Sequence, residues 1–114
     1  MVDRFGGKKF IYSFDKELTI LSYFKKMKIK NLFEEVLFPL NYHISHKNFS
    51  DVFNNKNYFH KVKSENLKNH FSDILSKAND NDVYQLGLGK QKRLLGIIIN
   101  YVFHIIGLDS EHII

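Results

Sequence analysis

Hydrophobic positions fall into blocks whose spacing changes along the chain. From Lys9 to Phe14 they alternate, with Phe10, Tyr12 and Phe14 on one face, which predicts a short N-terminal strand. Asp15 then stands as a helix N-cap, with Glu17 in the first turn where the helix dipole favours a negative charge. Over residues 16–27, Ile20, Leu21, Phe24 and Met27 recur at helical spacing; over 29–37, Ile29, Leu32, Phe33, Val36 and Leu37 do the same. At about 100° per residue the two stripes point roughly 150° apart, so one straight helix cannot bury both and a break is expected near Lys28. Asn31 is placed to cap the second helix, with Glu34 three residues on, and Pro39 ends it at or before Phe38. Residues 40–48 read as loop, and Phe49, Val52 and Phe53 as a helical turn closed by Asn54-Asn55.

The cleanest helical pattern covers 65–78. Ser64 caps it, Leu67, Phe71, Ile74, Leu75 and Ala78 form the apolar face, and Asp73 and Lys77 pair at i,i+4 on the other side. Asn79-Asp80-Asn81-Asp82 stops it, Val83 to Leu86 reads as extended, and Gly87-Leu88-Gly89 as a turn. Lys90 to Leu108 then reads as one long apolar helix. On its wheel one narrow stripe is not apolar: Arg93, Gly96, Asn100, His104 and Gly107, with Lys90 at its edge. The architecture expected is a mainly α, single-domain bundle of four or five helices over residues 1–114. A short N-terminal strand is added to it, residues 1–8 are flexible, and the last helix is the core element.

Composition changes this picture little. The chain has 114 residues, no Cys and a formal charge of +5, carried by a large excess of Lys over Arg. Without Cys there is no disulfide framework and no thiolate metal site, which fits a reducing, cytoplasmic setting. The N-terminus lacks the apolar run of a secretory signal. Leu94 to Leu108 is too short for the ~20 residues a membrane span needs, so no such span is expected. The basic surplus sits in the first two thirds and points to nucleic acid or an anionic membrane surface. Abundant Lys, Asn, Ile, Phe and Tyr also follow from AT-rich codons, which weakens that inference. The scarcity of Arg argues against detailed base readout.

Candidate chemistry is sparse. The helix-break-helix of 16–38 has the outline of a helix-turn-helix, but its second helix carries Glu34 and Glu35 and no cation, which opposes DNA reading through it. Lys25, Lys26, Lys28 and Lys30 form a ridge suited to a phosphate backbone, or alternatively a solvated face. Gly87-Leu88-Gly89 followed by Lys90, Lys92 and Arg93 places cations at the expected helix start, where they oppose the dipole unless an anion is bound. Asn100 and His104 are groove candidates on the last helix. His43 and His46, with Asp51 and His60 near in sequence, have H-x-x-H spacing in a loop, too weak to assign a metal. His70 reads as a core-edge histidine. No nucleophile motif stands out, and Glu34 and Glu35 point apart, so no catalytic residue, metal or cofactor is assigned.

The function expected is that of a non-enzymatic basic binding protein contacting nucleic acid, or a nucleoprotein complex, through Lys-rich surfaces. A protein–protein interaction module, such as an inhibitor or small subunit from a phage or mobile element, is the alternative. A small metal-independent nuclease or toxin is the third class.

Overall fold

The computed structural model describes residues 9–44, 47–48, 51–52, 59–88 and 92–110. Its centre is a five-stranded mixed sheet, so the fold is α/β and the expected helical bundle is overturned. The strands are β1 (Ile11–Ser13), β2 (Phe59–Lys61), β3 (Tyr84–Gly87), β4 (Arg93–Ile99) and β5 (Val102–Asp109). β2 to β5 pair antiparallel in sequence order, and β1 joins the far edge parallel to β5, giving the order β1-β5-β4-β3-β2.

The long helix expected over 90–108 is the β4–β5 hairpin. Its two-residue turn is Asn100-Tyr101, both left-handed (φ 51° and 64°), the backbone that type I′ hairpin turns require. An apolar run on every side of a helical wheel also suits a strand covered on both faces. That is the situation here. Leu94, Phe103, Ile105 and Leu108 join a front core with Phe10, Val36, Leu40, Val52, Phe59 and Leu86. Leu95, Ile97 and Ile106 join a back core with Val62, Leu67, Phe71, Ile74, Ala78 and Val83. The β-branched content of Ile97, Ile98, Ile99 and Val102 favours the extended state.

A β-bulge reconciles the two cores. Leu95 lies opposite Gly107 and Gly96 opposite Ile105, so Ile106 is an extra residue in β5. Ile106 and Gly107 therefore both face back, and Leu108 returns to the front. Gly107 has to be small: a Cβ there would come within 2.6 Å of Ile74 Cδ1 and 3.0 Å of Tyr23 Cδ2. Beyond the end of β1, Thr19 Oγ1 donates to the Ile105 carbonyl (2.6 Å) and Ile20 N–H to the Ile106 carbonyl (2.8 Å). The bulged edge is thus satisfied without a strand.

The helices are short. α1 (Ser22–Lys25) and α2 (Ile29–Leu32) are separated at Lys28, whose extended backbone (ψ 147°) is the break the opposed stripes require. Helix α2 begins at Ile29, not at an Asn31 cap, and Asp15 caps only a turn, accepting the Glu17 N–H at 2.8 Å. Pro39 does not end the second helix. Helical backbone continues from α2 through two wide π turns, Phe33–Leu37 and Leu40–Ile44, with Phe38 N–H bonded to the Phe33 carbonyl. Where the ladder has already moved from i−4 to i−5, the missing proline N–H and its ring are accommodated. This 29–44 segment covers the front face through Leu32, Val36 and Leu40.

The helix expected at 65–78 is two, α3 (Ser64–His70) and α4 (Ser72–Ala78), divided by Phe71 (φ −141°, ψ 54°). The break lets Leu67, Phe71 and Ile74 all reach the back face. Ser64 is the first residue of α3 and Lys63 stands at the N-cap with no side-chain cap bond, and His70 is exposed at the end of α3, not at a core edge. The stop at Asn79-Asp80 holds: both are left-handed, and Asn81 Nδ2 donates to the Ala78 carbonyl at 2.9 Å. The proposed turn around Phe49 and Phe53, the flexible 1–8 segment, and Gly89 to Gln91 lie outside the described residues.

Three substitutions test the hairpin. Gly96→Ala sets a Cβ 2.2 Å from the His104 carbonyl oxygen. It should destabilise by about 2 kcal/mol and lower Tm by roughly 8 °C. Asn100→Gly should keep the wild-type melting temperature, and Asn100→Val should lose about 1–2 kcal/mol at a positive φ. A helix would give the opposite ranking, since Gly is the poorer helix former.

Candidate nucleic-acid interface

The four lysines of the expected ridge flank the break between α1 and α2. Lys25 ends α1, Lys26 follows it, Lys28 is the extended residue, and Lys30 lies in α2; all four are exposed. Lys30 Nζ stands 4.0 Å from Glu34 Oε1, both well exposed, an i,i+4 contact that compensates little. Lys25, Lys26 and Lys28 have no ion-pair partner among the described residues. Glu35, which spoke against an anionic partner, is turned toward the sheet and meets Lys92 Nζ at 3.6 Å.

That pair decides the second predicted cluster. Lys92 is spent on Glu35 at the front. Arg93, the next residue, lies opposite Gly87 and Asp109 at the start of β4 and donates from Nη1 to the Lys92 carbonyl at 3.0 Å. The two cations alternate across the sheet and do not share a surface. Lys92 precedes a strand and Arg93 opens it, so among the described residues they stand at no helix N-terminus. Lys90 lies outside the described residues. The stripe of the helical wheel is likewise dispersed: Asn100 makes the turn, and His104 sits on β5 opposite Ile97 and beside Ser13. His104 Nδ1 is buried without a hydrogen-bond partner.

Two features escaped the sequence. The first is an apolar stripe on the outer side of the 29–44 segment: Ile29 (74% exposed), Phe33 (41%), Phe38 (48%) and Tyr42 (69%). Its steps of four, five and four residues suit wide helical turns, not a 3.6-residue period. Phe33 and Phe38 touch, with ring centroids 5.6 Å apart at 59°. Leu21, also 74% exposed, lies just before the Lys ridge.

The second is a polar set on the back face, where the chain order gives no hint of proximity. His60 on β2 lies opposite Gln85 on β3, and Arg93 opposite Asp109 across β4 and β5. Gln85 and Asp109 are buried. His60 Nδ1 lies 3.1 Å from the Lys61 carbonyl, which places its proton there and leaves Nε2 to accept from the Gln85 amide. Gln85 Oε1 is buried without a partner. A cleft of about 320 Å³ between β2 and the α3–α4 pair is lined by Lys61, Leu67, Leu75 and Asp82, but its Lys61 is paired with Asp82 at 3.2 Å.

Tyr23 ties the helical layer to the back face. Its hydroxyl donates to Asp73 Oδ1 at 2.5 Å, and burial, aided by this hydrogen bond and the carboxylate charge, raises its pKa. Among the described residues no three His, Asp or Glu gather as a metal site, with His46 outside them. Among those residues no helix is long and apolar enough to cross a membrane. Comparison with family models, curated proteins and solved structures finds no match.

Because the folded Tyr23 binds its proton more tightly than the unfolded one, its contribution is complete below the unfolded pKa near 10 and is lost as pH rises beyond it. Tyr23→Phe should cost about 1 kcal/mol at pH 7. In denaturant titrations from pH 8 to 11 the gap to wild type should narrow. A constant gap would show that the hydroxyl proton is not held by the fold.

Proposed function

We propose that this chain is a non-enzymatic binding protein, acting in the cytoplasm, that holds nucleic acid or a nucleoprotein complex on the outer face of residues 25–42. The observation that carries this reading is the nearness in sequence of Lys25, Lys26 and Lys28, exposed at the α1–α2 break and without an ion-pair partner among the described residues, to Phe33, Phe38 and Tyr42, exposed on the helical segment that follows it. Cations attract the phosphate backbone and release its counterions, while open rings offer faces on which bases stack. The near absence of Arg fits contacts that do not depend on sequence.

A second reading, a protein–protein interaction module such as a phage or mobile-element inhibitor, draws on Leu21 and Ile29. These exposed aliphatic side chains serve a protein interface better than a nucleic acid. Salt separates the two readings, since an apolar protein interface lacks the steep dependence of phosphate contacts.

Changing Lys25, Lys26, Lys28 and Lys30 together to Gln should weaken nucleic-acid binding uniformly across sequences. It should also reduce the slope of log K against log salt by about 3. Unchanged affinity in a fluorescence-polarisation titration, with the melting temperature retained, would remove the ridge from the interface.

A further inference from the structure

We infer that the nucleic acid this face takes is single-stranded, with its bases stacked on Phe33, Phe38 and Tyr42 and its backbone led in by the lysines of the α1–α2 break. The inference rests on the nucleic-acid reading above and names the class of partner.

The rings are the reason. A helix interior can hide Phe; here the front core is filled by Leu32, Val36 and Leu40, and the rings stand on the opposite side of the same backbone. Phe33 and Phe38, five residues apart across the wide turn Phe33–Leu37, are in ring contact, and Ile29 and Tyr42, four residues to either side, are exposed as they are. Duplex DNA hides its base faces within the stack and has no use for rings presented this way. Single strands expose those faces, and aromatic stacking is sequence-tolerant because every base has one.

The Phe33 and Phe38 centroids are 5.6 Å apart, less than the ~7 Å (two stacking steps of ~3.4 Å) that a base between them would need, so a base stacks on their outward faces and not between them. Their tilted contact leaves each ring partly open, at 41% and 48% exposed. Charge complementarity selects the same partner. The row begins beside Lys28 and Lys30, and Glu34, the only carboxylate exposed next to it within 29–42, faces Lys30. Lysine is depleted at protein interface cores, which weighs against a protein occupant for the row as a whole.

The test uses the full-length chain and three labelled probes of equal length, oligo-U, oligo-dT and a dA·dT duplex, in fluorescence polarisation at several salt concentrations. Single strands should bind on the order of tenfold more tightly than duplex. The triple change Phe33→Ala, Phe38→Ala and Tyr42→Ala should remove that preference while leaving the salt slope in place. Phe33→Trp with Phe38→Trp should retain it and guards against a trivial folding loss. A higher affinity for oligo-U than for oligo-dT identifies RNA, and equal affinities identify single strands in general; either supports the inference. If the rings prove silent and the quadruple Lys variant still weakens binding, the single-strand inference falls and the nucleic-acid reading stands. If none of the probes binds, both fall and the row becomes a protein-docking face.

Discussion

The β4–β5 hairpin is the element on which the remainder of the structure depends, because both of its faces are covered. A strand buried on two sides cannot alternate polar and apolar residues, so Leu94, Leu95, Ile97, Phe103, Ile105 and Ile106 must all be apolar, and all are almost wholly buried. Each such side chain stabilises the fold by about 1.5–3 kcal/mol of removed apolar surface, but only if a layer lies over each face. In a chain of 114 residues those layers have to be made from very little: the 29–44 segment at the front, and α3 with α4 behind. The broken, short helices are a consequence. The bend at Phe71 wraps the back layer over the strands, and the wide turns stretch the front layer along them.

The bulge at Ile106 serves the same constraint. Without the extra residue, Leu108 would face the back and leave the front core short beside Phe59 and Leu86. With it, two consecutive residues face back, which is sterically possible because the second is Gly107, against whose Cα Ile74 and Tyr23 close. Tyr23 then links layers: it packs against both cores, and its hydroxyl is fastened to Asp73 at the start of α4. The position of α1, and with it the Lys ridge that follows, is therefore set by a glycine more than eighty residues away.

What was legible in the sequence was local. The break at Lys28 followed from two stripes that no straight helix could bury together, and the stop at Asn79-Asp80 from residues that tolerate a positive φ. The N-terminal strand showed through alternation at Phe10 and Tyr12, although Phe14 lies beyond its end and is exposed. The last third is not legible, because an all-apolar run satisfies a buried helix and a doubly covered strand equally well. Periodicity carries no information when every position is apolar; the run of Ile and Val, and Asn100 at its midpoint as a hairpin turn, carried what there was. The ridge at Lys25–Lys30 needed only the local break to be read, so it keeps its exposure, whereas Lys92, Arg93, Asn100 and His104 were grouped by a wheel that does not exist. The His60–Gln85 contact needed strand register, which no local pattern contains.

The outward row on the 29–44 segment shows how a packing solution creates a surface. A 3.6-residue helix with this sequence would turn Phe33 toward the side of Leu32 and Val36 and blur the distinction between inner and outer apolar positions. Wide turns separate them, placing Leu32, Val36 and Leu40 inward at steps of four while Ile29, Phe33, Phe38 and Tyr42 stay outward. Such turns are rare and recur at functional positions, and here they leave large apolar side chains in water, which folding alone does not favour. Pro39 reinforces the geometry from within, because it lacks the N–H that an ordinary turn would use at that point. The same backbone distortion that lets one thin layer cover the front of the sheet thus holds the exposed rings in line.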